Sequence, residues 1–232
     1  MNADFTVCVY PGNLRFDFFF VMDERPYPLA QRVAEIGVEL RGRDTAVLSH
    51  NTGAIYTAAG PGQGEFRLPF WGRDVILTWP DFVGRAAQSG EALPVFSMAV
   101  LAYYFLLADG SPLTGQWIAF TELPDGQFYT QAFQGYTGQE LVKTFGNDID
   151  AFTRAAKQVG GQPEPLGDAA FSFRVLPKVS LLVVCWLGDE DFPPSYRVLF
   201  DGVNGRHLST DGCAILGSTL TRRLIKASMG HR

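Results

Sequence analysis

Residues 66–79 read FRLPFWGRDVILTW. Phe66, Leu68 and Phe70 alternate along the chain, Val75, Leu77 and Trp79 do the same, and Trp71-Gly72-Arg73 stands between the two runs. A period of two puts every second side chain on one face of a strand, so two such runs around a glycine-containing turn predict a β-hairpin. On either side of it the pattern changes. Upstream, Leu29, Val33, Ile36 and Leu40 recur at helical spacing and predict an amphipathic helix, followed by a glycine-rich stretch from Gly53 to Gly64 that reads as a loop. Downstream, the apolar run from Leu93 to Ala108 predicts a buried helix, with Pro94 tolerated in its first turn and Asp109-Gly110 ending it.

Beyond that helix, Trp117 to Phe120 and Gln127 to Phe133 read as strands joined by the turn residues Pro124-Asp125-Gly126. Gln139 to Phe145 and Asp148 to Val159 read as helices, the second opened by an Asp148 N-cap and stopped by Gly160-Gly161. Three more strands follow: Ala170 to Leu176, the continuously apolar Val179 to Leu187 suited to a sheet centre, and Tyr196 to Phe200. A last helix starts at Thr210, with Ile215, Leu216, Thr219, Leu220 and Leu224 facing the core. Strands and helices come in mixed runs, so the expected class is α+β: a mixed, largely antiparallel sheet packed by the buried apolar helix and the C-terminal helix. Residues 26–232 form one such domain. Residues 1–25 alternate weakly around Pro11-Gly12-Asn13 and predict a short N-terminal β extension.

Nearly half of the 232 residues are apolar (47%) and nineteen are phenylalanine, which argues for a folded, aromatic-rich core. The net charge is −5, and the only basic concentration is Arg222, Arg223, Lys226, His231 and Arg232, where cations suit the negative end of a final helix. A nucleic-acid partner is therefore not expected. Cys8, Cys185 and Cys213 are too few and too scattered for a disulfide framework or an iron–sulfur cluster, which points to reduced thiols and a cytoplasmic location. Met1 to Tyr10 lack a signal-peptide pattern, the longest apolar window is short for a bilayer, and no membrane partner is expected. P-loop, GxSxG, HExxH and strand–GxGxxG–helix signatures are missing, and Gly60 to Gly64 lead into a strand rather than a helix. No catalytic residue or cofactor is identified.

Four segments, at 64–80 (GEFRLPFWGRDVILTWP), 114–126 (TGQWIAFTELPDG), 166–194 (LGDAAFSFRVLPKVSLLVVCWLGDEDFPP) and 196–217 (YRVLFDGVNGRHLSTDGCAILG), resemble an uncharacterised family, domain of unknown function 3786. The resemblance runs from near Leu29 into the C-terminal helix. It implies a setting in anaerobic bacteria and archaea, close to low-potential redox or corrinoid-linked one-carbon chemistry, with an iron–sulfur or corrinoid protein as partner. It carries over no catalytic residue.

Two constellations are candidates for chemistry. Asp189, Glu190 and Asp191, followed by Asp201, His207 and Asp211, set one imidazole among carboxylates at strand ends, and Glu190, Asp201, His207 and Asp211 are the candidate metal ligands. The alternative is structural: Asp211 favours a helix dipole, Asp189 to Asp191 form a solvated turn, and a lone histidine packs. Trp117 with Glu122 is the candidate ligand-binding pair, an aromatic plane beside a carboxylate, against core packing and hairpin capping. Trp71, Trp79 and Trp186 read as core, Cys185 as a buried thiol, and Cys213 with His207 as a remote nucleophilic pair. Three functions follow: an accessory or ligand-binding module, a metal-dependent enzyme, or a structural subunit acting through protein contacts.

Overall fold

The computed structural model describes residues 27–230. The expected β extension at residues 1–25, Cys8, His231 and Arg232 lie outside that range. The chain begins with α1 (Tyr27–Leu40) and α2 (Thr45–Thr52), whose N-cap Asp44 accepts a hydrogen bond from the Ala46 amide at 2.7 Å. A four-stranded antiparallel meander follows: β1 (Ile55–Gly60), β2 (Gln63–Phe70), β3 (Arg73–Trp79) and β4 (Gly84–Ala86). The hairpin read from residues 66–79 is β2–β3, with Phe70 opposite Arg73. Its two turn residues, Trp71 (φ 53°) and Gly72 (φ 72°), are both left-handed, as a two-residue turn matching strand twist requires.

A tryptophan in that conformation is costly, and its surroundings hold it there. The Trp71 amide donates to the Val175 carbonyl at 2.9 Å, and the Arg223 guanidinium stacks 4.6 Å from the ring centroid. The hairpin tip thereby joins the first sheet to the second and to the last helix. Trp71 is half-buried and packs against the main core, and Trp79 is buried within it, as expected.

The glycine-rich stretch is not a simple loop. Gly53 (φ 69°) ends α2, β1 pairs antiparallel with β2, and only Pro61-Gly62 turns between them. β1 is an exposed edge with no alternation of burial, so hydrogen bonding to β2 defines it where periodicity cannot.

α3 (Val95–Leu107) is the expected apolar helix, preceded by Pro94 and packed by α1 and α2. At 13 residues it is too short for a bilayer, and among the described residues no helix is long and apolar enough to cross a membrane. β5 (Trp117–Ile118) stops two residues short of the expected strand, and Gln127 to Phe133 form no strand. The chain turns through 3-10 helices at Phe120–Glu122 and Gly126–Phe128 into α4 (Thr130–Tyr136). Two contacts cause this. A Cβ on Gly126 would lie 1.9 Å from the Phe120 carbonyl oxygen, so only glycine lets the chain fold back there. Phe133 then stacks on Phe120, centroids 4.2 Å apart.

α5 (Gly138–Phe145) and α6 (Ile149–Gln158) follow, with the Asp148 carboxylate accepting from the Ala151 amide at 2.8 Å. β6 (Gln162–Glu164), β7 (Ala169–Leu176), β8 (Val179–Trp186) and β9 (Ser195–Asp201) complete a second antiparallel sheet, in the order β5-β9-β8-β7-β6. β8 is its central strand, as the apolar run predicts. α7 (Asn204–His207) and α8 (Thr210–Met229) close the chain, with Leu216, Leu220 and Leu224 buried. The class is α+β, built on two antiparallel sheets rather than one. Val179, Leu181, Val183 and Cys185 of β8 face the main core, together with buried side chains of α3, α6 and α8. Leu182 and Val184 face the opposite way.

Candidate functional site

Asp201 ends β9 and is buried to within 1% of its surface. Its carboxylate accepts from the Thr114 amide (3.1 Å), the Thr114 hydroxyl (2.9 Å), the Gly115 amide (2.8 Å) and the Val203 amide (3.1 Å). Those bonds occupy both oxygens with the chain's own donors, so Asp201 clamps the loop between α3 and β5.

His207 serves the same loop. Its ring is fully buried, and Nε2 lies 3.1 Å from the Ser111 carbonyl, which can only accept, so Nε2 carries the proton. Nδ1 has no hydrogen-bond partner and stands 3.8 Å from the Asp109 carboxylate. Burial lowers the His207 pKa below its ordinary value, outweighing the Ser111 bond and Asp109, so the ring is neutral near pH 7. Asp109 is held down to about 2, chiefly by the Ser111 amide, then by the Ser111 hydroxyl and Arg206, whose Nε donates to it at 2.6 Å. Lys178 adds a bond from Nζ to the Gly110 carbonyl. Asp109, Lys178 and Arg206 carried no sequence motif; only the fold brings them together around residues 109–115.

The four candidate metal ligands do not converge. Glu190 is exposed on the β8–β9 loop, Asp201 and His207 hold residues 111–115, and Asp211 lies half-buried in the first turn of α8, its pKa raised by burial. Among the described residues no three His, Cys, Asp or Glu side chains are grouped to hold a metal ion. The β8–β9 loop is shaped by Asp189, whose Oδ1 accepts from the Asp191 and Phe192 amides at 2.9 and 2.8 Å. The Cys213 thiol is fully buried and pushed up to about 12, and Cys185 is also raised by burial, so neither supplies a thiolate.

Trp117 and Glu122 also part company. The Glu122 carboxylate turns back to accept from the Ala119 amide at 2.7 Å, capping its own 3-10 turn. Trp117 lies on the outer face of the second sheet. Buried Ala170, Leu182 and Val184 form a small apolar cluster there with half-buried Trp117, Trp186 and Leu199. Among the described residues, strands alone build this cluster and no helix contributes to it. Arg197 lies over the Trp186 ring, 5.9 Å from its centroid. Trp186, expected in the core, therefore sits at the opposite end of this face from Trp117. Trp186 pairs with Ser195 and Trp117 with Asp201, a separation of six residues along β9, or about 20 Å.

The fold and this face define an α+β architecture of two antiparallel sheets, the second carrying on its outer face a cluster to which, among the described residues, no helix contributes. The chain belongs to the family described as a domain of unknown function (DUF3786), whose model matches residues 44–223. The match begins at the cap of α2, later than the helix near Leu29. No curated protein and no solved structure matches the chain.

Proposed function

We propose that the domain is a binding module that docks a protein partner on the outer face of its second sheet. The observation that carries this reading is the pair of half-buried tryptophans, Trp117 and Trp186, about 20 Å apart on a face to which, among the described residues, no helix contributes. No single planar small molecule spans them, whereas a protein segment does. Tryptophan is among the side chains that dominate protein interfaces. Of the polar residues that suggested catalysis, Asp201 and His207 are engaged in holding residues 111–115, which supports binding over turnover. An iron–sulfur or corrinoid protein, the partner implied by the family resemblance, is the first class to test.

The test is affinity capture under anaerobic conditions with the native chain and with a Trp117→Ser/Trp186→Ser variant, followed by reconstitution from purified components. A partner that binds the native chain and loses at least tenfold in affinity to the variant supports the reading. Equal binding by both, or a small molecule retained in native mass spectrometry and released by the same substitutions, overturns it.

A further inference from the structure

The end of the outer face beside Trp186 has a composition of its own. Two loops meet there: 165–168, which leads into β7, and 187–194, which joins β8 to β9. They are tied by the Asp168 amide on the Cys185 carbonyl (2.9 Å) and the Leu187 amide on the Asp168 carboxylate (2.7 Å). Gly167 runs close beneath the Trp186 ring, where a Cβ would lie 3.4 Å from the indole. Three apolar side chains stand in solvent on these loops: Leu166 (41% exposed), Leu187 (40%) and Phe192 (71%). Leu187 and Phe192 follow Trp186 in the chain, and their loop is joined to that of Leu166 by the Leu187–Asp168 bond. Isolated exposed apolar residues need no explanation, but three on two joined loops, beside a half-buried tryptophan, mark an interaction surface.

The charge carried by the two loops themselves is of one sign. The loops carry Asp168, Asp189, Glu190 and Asp191 and contain no lysine or arginine, in a chain whose net charge is −5. The neighbouring cation, Arg197, lies over Trp186. No metal ion accounts for the carboxylates, because no three are grouped to bind one among the described residues. A second copy of this chain would bring the same negative rim against itself, and nucleic acid or an anionic membrane would be repelled.

We infer that this end of the sheet receives a basic segment of the partner protein, with apolar side chains on Trp186, Leu187 and Phe192 and lysines or arginines toward Asp168, Glu190 and Asp191. The inference rests on the binding role proposed for the outer face and adds the chemistry of what binds. Glu190 thereby has a role at a rim rather than in a metal site.

The test uses two fluorescein-labelled twelve-residue peptides, one alternating lysine and leucine, the other glutamate and leucine, with binding read by fluorescence anisotropy. The native chain should bind the lysine peptide and discriminate against the glutamate peptide at least tenfold, with affinity falling steeply as salt rises. A Leu187→Ser/Phe192→Ser variant and, separately, a Glu190→Lys/Asp191→Lys variant should each weaken binding at least tenfold, with circular dichroism confirming that each folds. Failure to bind the lysine peptide, or binding that both variants leave unchanged, overturns the inference. Preferential binding of the glutamate peptide, lost on replacing Trp117 and Trp186, would overturn the charge assignment and leave the outer face as a docking surface. Loss of partner binding in the Trp117/Trp186 experiment tests that surface independently of these peptides.

Discussion

Replacing Asp201 with alanine removes the acceptor for four donors at once: the Thr114 amide and hydroxyl and the amides of Gly115 and Val203. A hydrogen bond to a charged group contributes about 1.5–3 kcal/mol, so the gross loss is on the order of 6–12 kcal/mol. Much of it is recovered. Thr114 and Gly115 are exposed and rehydrate when the carboxylate leaves, whereas Val203 is buried and its amide does not. The net destabilisation should be about 3–4 kcal/mol, a large part of the roughly 5–15 kcal/mol that holds a domain together. Asp201→Asn keeps the shape and one acceptor oxygen and should cost about half as much. Urea unfolding followed by tryptophan fluorescence measures the totals, and hydrogen exchange at Thr114 and Gly115 reports the loop itself. A cost below about 1 kcal/mol for the alanine variant, with exchange at both amides unchanged, would refute the clamp. Addition of zinc or manganese gives a second check. Asp201 as a clamp predicts no metal-dependent rise in the unfolding midpoint of the native chain, and as a metal ligand it predicts a rise that Asp201→Ala abolishes.

Further outcomes follow from the same geometry. The unfolded His207 takes up a proton near its ordinary pKa of 6.5, while burial keeps the folded ring neutral to lower pH. The unfolded state therefore binds more protons below 6.5, and stability should fall as pH drops from 6.5, by at most about 1.4 kcal/mol per pH unit. His207→Gln should flatten that slope in urea midpoints taken between pH 7.5 and 5.5, and an unchanged slope would sink the assignment. Gly126→Ala should lower stability by about 1–3 kcal/mol, because its Cβ meets a backbone carbonyl, and an unaltered melting temperature would contradict that close approach. Iodoacetamide at pH 8 should alkylate Cys185 and Cys213 only after denaturation, since both thiols are buried; native labelling on peptide mass mapping would contradict their burial. Arg223→Ala should cost about 0.5–2 kcal/mol by freeing the Trp71 ring at the hairpin tip, as read by thermal melting.

Elements whose apolar periodicity is strong were legible in the sequence. Residues 66–79, the apolar α3, the Asp148-capped α6, and β7 to β9 all carry their pattern locally, because each buries one face or both. β1 was not legible, since an exposed edge strand has no burial pattern to display. Gln127 to Phe133 misled for the opposite reason: aromatic residues with strand propensity were diverted into turns and α4 by the Gly126 approach and the Phe120–Phe133 stack, both contacts within the fold. Asp201 and His207 stood out from the start, but as residue types. What they hold is a loop some ninety residues earlier in the chain, a pairing that spacing along the sequence does not encode.

The residues around the 109–115 loop bear on function through what they fix. Lys178 immediately precedes β8, Asp201 ends β9, Arg206 and His207 lie in α7, and the loop they grip leads directly into β5 and Trp117. β5 is only two residues long and pairs with β9 alone, so its own ladder is a weak hold on an edge strand. The Gly202 amide on the Gln116 carbonyl (2.9 Å) and the four Asp201 bonds supply the rest. A side chain at an interface contributes most when its position is fixed before the partner arrives, because less freedom is then lost on binding. On this argument the buried Asp201, the cross-strand partner of Trp117, fixes that end of the outer face. Asp201→Asn should weaken partner binding through Trp117 while leaving the basic-peptide affinity at the Trp186 end unchanged, and equal losses at both ends would show general unfolding instead.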